Sequence, residues 1–257
     1  MTGVRITVAD SVAVVTIDRP KANAIDAATS VAMGQAFVDF EADPSVRVII
    51  VTGAGERFFS AGWDLNAAGD GESFDADWGA GGFGGFPDLP NRTKPVIAAV
   101  NGMAVGGGFE IAMAADLVVA ADHARFFLPE ASLGILPDAG SVRLPRLLPA
   151  HIARELLLTG RRMGADEAAQ WGLVNRVIPV AELLDVAHEL ARAIIASAPL
   201  SVAAILDIGR RTAHLDPIAA MAELTTYDSY RRAIDSVDAV EGMAASAERR
   251  PPIWHAR

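Results

Sequence analysis

Three consecutive glycines, Gly106–Gly108, are followed by Phe109, by the carboxylate Glu110 and then by an apolar stretch, IAMAAD. Maximal backbone freedom just before a carboxylate has two readings. The glycines can serve a tight strand-to-helix turn, with Glu110 in a first helical turn where the helix dipole favours an acid. Alternatively, they bring a backbone N–H at a helix N-terminus close to a ligand, where it stabilises negative charge developing on a carbonyl oxygen. An oxyanion site of that kind needs a second donor. The stretch FFSAGWDL (Phe58–Leu65) offers one, because small Ser60, Ala61 and Gly62 leave the Trp63 N–H at a bend. On these residues alone both readings stay open.

Composition and motif content exclude several other chemistries. The 257 residues include no cysteine, so there is no thiolate nucleophile, disulfide or Cys-ligated metal. The five histidines are scattered (His123, His151, His188, His214, His255), without the spacing of a metal site. Neither a Walker A sequence nor a GxSxG elbow is present. Gly79 to Gly84 does spell GxGxxG, but no strand precedes it and no helix pattern follows. A formal net charge of -10 argues against a nucleic-acid surface, though local donors can still hold a small anion. Hydrophobic residues make up 51%, yet no run reaches membrane-spanning length, and the first residues read as a strand rather than a signal peptide. A soluble cytoplasmic protein with no membrane partner is expected.

The elements that must position the two glycine-rich turns follow from periodicity. Residues 11–18 form a β-branched run broken at Arg19-Pro20. Asp26 is a good N-cap for a helix over 27–40, with Met33, Phe37 and Phe40 on one face. Residues 46–53, 94–102 and 116–123 are short apolar runs ending in turns, as in buried parallel strands covered on both faces. From residue 182 the pattern is helical, over 182–197, 201–213, 217–230 and 238–247. The prediction is an α/β body with an all-helical tail, joined near residue 197. The Gly/Phe-rich WGAGGFGGF (Trp78–Phe86) reads as a loop.

Five stretches, in order along nearly the whole chain, carry a resemblance: RPKANAID, FFSAGWDL, AAVNGMAVGGGFEIAMAAD, LPEASLGILPDAG and WGLVNRVI. Together they resemble the enoyl-CoA hydratase/isomerase (crotonase) superfamily, and most closely its carnitinyl-CoA dehydratase branch. The resemblance implies an α/β spiral of ββα repeats over residues 1–197. It also implies an α-helical C-terminal region, 198–257, that builds homotrimers or homohexamers. It assigns the oxyanion N–H groups to Trp63 and Gly107. Coenzyme A binding falls to Lys21, Ala22, Ala24, Ala61, Asp64 and Leu65, with Arg249 as a phosphate partner. Glu110 and Glu130 match the two positions where hydratases carry glutamates. Retention of both favours water addition or removal, with Glu130 moving a proton at Cα and Glu110 activating water at Cβ. The resemblance also implies that no cofactor is needed beyond the CoA of the substrate.

The expected activity is therefore reversible hydration of a 2-enoyl-CoA, with crotonobetainyl-CoA or a short-chain enoyl-CoA as substrate. Enoyl-CoA isomerisation, acyl-CoA hydrolysis and non-catalytic acyl-CoA binding are the alternatives. Trp78, Phe83 and Phe86 are candidates for an aromatic pocket around a trimethylammonium group, or for a plain apolar acyl pocket. The segment after Gly140 is one residue shorter than usual in the superfamily and reads as a shortened turn.

Overall fold

The computed structural model describes residues 3–257. A hairpin of β1 (Val4–Ala9) and β2 (Val12–Ile17) leads into α1 (Ala27–Ala42). Next come β3 (Val48–Gly53), β4 (Phe58–Ser60) and the short α2 (Leu65–Gly69). After a long loop the chain forms β5 (Val96–Val100), β6 (Met103–Val105) and α3 (Gly107–Ala114). The strands β7 (Leu117–Ala121) and β8 (Arg125–Phe127) precede α4 (Asp138–Leu147) and α5 (Ala150–Thr159). The body closes with β9 (Met163–Gly164), α6 (Ala165–Gln170) and β10 (Arg176–Ile178). Beyond it lie α7 (Leu183–Ile195), α8 (Pro199–Thr212), α9 (Pro217–Leu224), α10 (Asp228–Ile234) and α11 (Val237–Glu248).

Two sheets organise the body. The larger has strand order β1-β2-β3-β5-β7-β10 and is parallel except for the β1–β2 hairpin. Its central strands are buried along their whole length, which is why they read as unbroken apolar runs. Alternate side chains serve opposite faces: Ile49 and Val51 join the core formed with α1 and α3, while Val48 and Ile50 pack against Leu183, Ala187 and Ala191 of α7. The smaller sheet, β4-β6-β8-β9, is parallel except at its last pair.

The N-cap of α1 is Asp26, whose Oδ1 accepts from the Thr29 N–H at 2.8 Å. Two expectations are corrected. The single helix over 217–230 is two helices, because the Thr226 hydroxyl bonds back to the Glu223 carbonyl (2.6 Å) and competes with the helical ladder. The segment after Gly140 is not a turn but the first turns of α4.

A pair of buried asparagines fixes the passage from one sheet to the other. Asn101 accepts from the Gly53 N–H (3.0 Å) and donates to the carbonyls of Gly55 (2.7 Å) and Phe58 (3.1 Å). Asn23 donates to the carbonyls of Ala54 (3.0 Å) and Phe58 (2.9 Å). β4 and β6 therefore run side by side, with Ser60 opposite Ala104, and release the chain into two adjacent turns.

Candidate active site

The two turns are built on glycines that other residues cannot replace. Gly62 has φ +79° and Gly106 has φ +54°. A Cβ on Gly62 would lie 2.7 Å from Gly107 N and 2.8 Å from Val105 O, so the two loops touch through bare backbone. On one side, Ile25 donates to the Gly62 carbonyl (2.8 Å) and accepts from the Asp64 N–H (2.9 Å). The intervening Trp63 N–H is left out of that bridge. Gly107 is the first residue of α3 and has no helical acceptor of its own. Among the described residues, no protein acceptor takes the N–H of Trp63 or of Gly107. Both residues line a cavity of about 440 Å³.

Two carboxylates line the same cavity, Glu110 and Glu130. Glu110 sits in the first turn of α3, and Glu130 opens a single 3-10 turn after β8. Gly106 leaves room for the second acid, since a Cβ there would come within 2.5 Å of Glu130 Oε1. Glu110 Oε1 accepts from the Gly140 N–H at 2.6 Å, so the N-terminal turn of α4 holds one of its oxygens. Glu130 is 8% exposed, and its Oε2 is buried without a hydrogen-bond partner.

Burial is the main cause of a shift in both. It pushes the Glu110 carboxyl up to about 7, against the Gly140 hydrogen bond and with help from the charges of Asp138 and Glu130. Burial and the charge of Asp138 raise Glu130 as well. Two acids on which burial favours the proton, in one cavity with two open N–H groups, can move protons at adjacent atoms of a bound carbonyl compound.

Comparison with known proteins decides the family. The profile of the enoyl-CoA hydratase/isomerase family matches residues 7–257. The chain belongs to this family. The carnitinyl-CoA dehydratase of Escherichia coli strain K12 is 55% identical over 250 residues, covering 96% of each chain. That of Salmonella arizonae is 56% identical over 243 residues, 93% of each. An enoyl-CoA hydratase crystal structure from Mycobacterium tuberculosis H37Rv superposes with TM-score 0.92 at 39% identity, each chain covered in full. One from Bacillus anthracis does so with TM-score 0.92 at 31% identity, over 99% of this chain and 100% of that one.

Of the CoA-contacting residues that family resemblance suggested, Ala24, Ala61, Asp64 and Leu65 line the cavity. Lys21, Ala22 and Arg249 do not. The Ala22 carbonyl instead accepts from the Ala61 N–H (2.9 Å), beneath the pocket, and Arg249 caps the end of α11.

Trp78 and Phe83 line the cavity edge to face, ring centroids 5.1 Å apart, and the Phe83 ring lies over Gly107. Phe86 requires a correction. It is 1% exposed and stacked on Phe37 at 4.7 Å, anchoring the loop to the core rather than facing substrate. A phenylalanine flanked by glycines packs wherever the core offers room, and α1 offers it.

Sequence reasoning missed three supports. Arg19 pairs with Asp26 (2.7 Å) and Asp64 (3.1 Å) and donates to the Ala24 carbonyl (2.8 Å), tying the RPKANAID loop to the Trp63 turn. Glu72 accepts from the Trp63 indole (2.8 Å) and the Ala27 N–H (2.9 Å). Gly140 holds Glu110. Only the last has a sequence signal: Pro-Asp before a helical pattern is a helix start, where free N–H groups collect.

Proposed function

We propose that this chain is a hydro-lyase that adds water reversibly to a 2-enoyl-CoA thioester. The observation that carries the reading is a pair of carboxylates, Glu130 buried and Glu110 half-buried, that share one cavity with two unpaired backbone N–H groups. The thioester oxygen accepts from Trp63 and Gly107. In hydration, ionised Glu110 takes a proton from the water whose oxygen bonds to Cβ. The alkene electron pair moves into the thioester, and Glu130 delivers its proton to Cα as the enolate collapses. In dehydration Glu130 removes the Cα proton, and protonated Glu110 gives its proton to the Cβ hydroxyl, which departs as water. One oxygen of Glu110 is held by Gly140, which leaves the other for the water.

The acyl group is proposed to carry the trimethylammonium of crotonobetainyl-CoA. Support comes from the relatives named carnitinyl-CoA dehydratase and from the Trp78–Phe83 pair in the pocket. CoA is part of the substrate, and the reaction needs no other cofactor. Residues 1–197 would hold the site and 198–257 the subunit contacts of a trimer or hexamer in the cytoplasm. Apolar side chains exposed on the tail, Ile205, Ile218, Met221, Val240 and Met243, support that assembly.

Turnover of crotonobetainyl-CoA and crotonyl-CoA, followed by loss of the enoyl-thioester absorbance, tests the substrate. Crotonobetainyl-CoA should have the higher kcat/KM, and Trp78→Ala should reduce the preference by the 0.5–2 kcal/mol typical of about one cation–π contact. A better rate with crotonyl-CoA would remove the trimethylammonium from the proposal and leave hydration standing.

A further inference from the structure

The cavity wall is acidic and contains no basic side chain. Asp64, Asp88, Glu110, Glu130 and Asp138 line it, with no lysine, arginine or histidine among the lining residues. Two of these acids are neutralised from outside: Asp64 by Arg19 at 3.1 Å, and Asp88 by Arg143 at 3.5 Å. The Arg143 guanidinium is further tied to the Pro87 carbonyl at 2.7 Å. Glu110, Glu130 and Asp138 have no ion-pair partner among the described residues. Glu130 is buried with an unpartnered oxygen and faces the same space. Acids gathered around one cavity, with Asp138 unpaired among the described residues and its charge opposing ionisation of both glutamates, disfavour the empty site. They favour a ligand that brings a positive charge, and electrostatic complementarity selects among ligands of one shape.

Proton transfer by the two glutamates gives Asp138 no task. It is exposed at the first residue of α4, and among the described residues its only hydrogen bond is local, from the Ala139 N–H to Oδ1 at 2.7 Å. We propose that Asp138 is the specificity-determining residue that reads the positive charge of the acyl group, acting beside the neutral Trp78–Phe83 faces. The proposal rests on the cationic-substrate reading above. It adds that selectivity comes from a carboxylate as well as from aromatic faces.

The test compares two substrates of one shape: crotonobetainyl-CoA, and its neutral isostere 5,5-dimethylhex-2-enoyl-CoA, in which carbon replaces the ammonium nitrogen. The readout is the ratio of their kcat/KM values at one pH, so any change Asp138 makes to the glutamates acts on both and cancels. Wild type should prefer the cation by about tenfold or more, and Asp138→Asn should cut that ratio about fivefold. Asp138→Glu should keep most of it. A residue that only builds α4 would lower both substrates together and leave the ratio unchanged. If Asp138→Asn does not fold, Asp138→Ser carries the same test with an acceptor retained for the Ala139 N–H. An unchanged ratio in a folded neutral variant overturns the role of Asp138 while the cationic substrate stands. A wild-type ratio near one overturns the cationic substrate, and this proposal with it.

Discussion

Two sets of polar side chains largely withdrawn from solvent are treated in opposite ways. Asn23 and Asn101, each 4% exposed, spend both amide hydrogens and the amide oxygen on backbone partners around the β3–β4 junction. Glu110 and Glu130 are carried inside as well, yet one Glu130 oxygen has no partner and the Glu110 carboxyl is pushed up to about 7. Burial without satisfaction costs stability, so a fold that keeps such groups needs them for something other than holding itself together. Satisfied polar groups mark the frame; unsatisfied ones mark the site.

The comparison breaks most visibly at the glycines that join the two sets. Gly107→Pro removes a backbone N–H from the pocket and should abolish turnover, by about 10³-fold or more. Phe83 packs against this position, so a folded variant must be shown by circular dichroism before its rate is read. An active, folded Gly107→Pro enzyme would return the glycine run to a packing role. Next in size, Glu110→Gln and Glu130→Gln should each lower kcat at least about 10²-fold while CoA-ester binding, measured by calorimetry, survives. Near-normal hydration by either would end the two-carboxylate mechanism.

The frame should respond in the opposite sense. Asn101→Ala strands the Gly53 N–H and the Gly55 carbonyl and leaves the Phe58 carbonyl to Asn23 alone, and should cost about 1–3 kcal/mol in a denaturant melt while kcat of the folded fraction is kept. The smallest effect sharpens the contrast. Because the folded state holds the Glu110 proton up to about 7 and the unfolded chain releases it near the ordinary carboxyl value of 4.5, Glu110 destabilises the fold increasingly as pH rises between those values. Glu110→Gln should therefore stabilise the protein at pH 8 by an amount on the order of 2 kcal/mol. That gain should vanish below about pH 4.5, where both states are protonated. A variant no more stable than wild type at pH 8 would mean that the carboxyl is not strained by burial.

Much of the frame was legible because it is local. Apolar runs at 46–53 and 94–102 and the Asp26 cap announce themselves through periodicity and a side-chain acceptor. The smaller sheet was not legible from pattern: β6, β8 and β9 have three residues or fewer, too short for alternation to register. For the site, the glycine turns and Glu110 drew notice by composition, whereas the meeting of Glu110 with Glu130 depends on β6 and β8 pairing in parallel. Phe86 was misread because loop composition does not reveal which aromatic turns inward. Arg19 and Glu72 escaped because the links they make from the loop leading into α1 to the segment after β4, Arg19 to Asp64 and Glu72 to Ala27, each span 45 residues with no periodic signal.

In the proposed mechanism the two glutamates move the elements of water across the Cα–Cβ bond of a thioester. The direct measurement is turnover of crotonyl-CoA and crotonobetainyl-CoA in water labelled with heavy oxygen, with mass spectrometry of the acyl product. The account predicts one labelled oxygen at Cβ for wild type, with the thioester intact, and none from Glu110→Gln or Glu130→Gln on the same timescale. Loss of the enoyl absorbance without label would indicate isomerisation, and label in a free carboxylate would indicate hydrolysis; either result would contradict it.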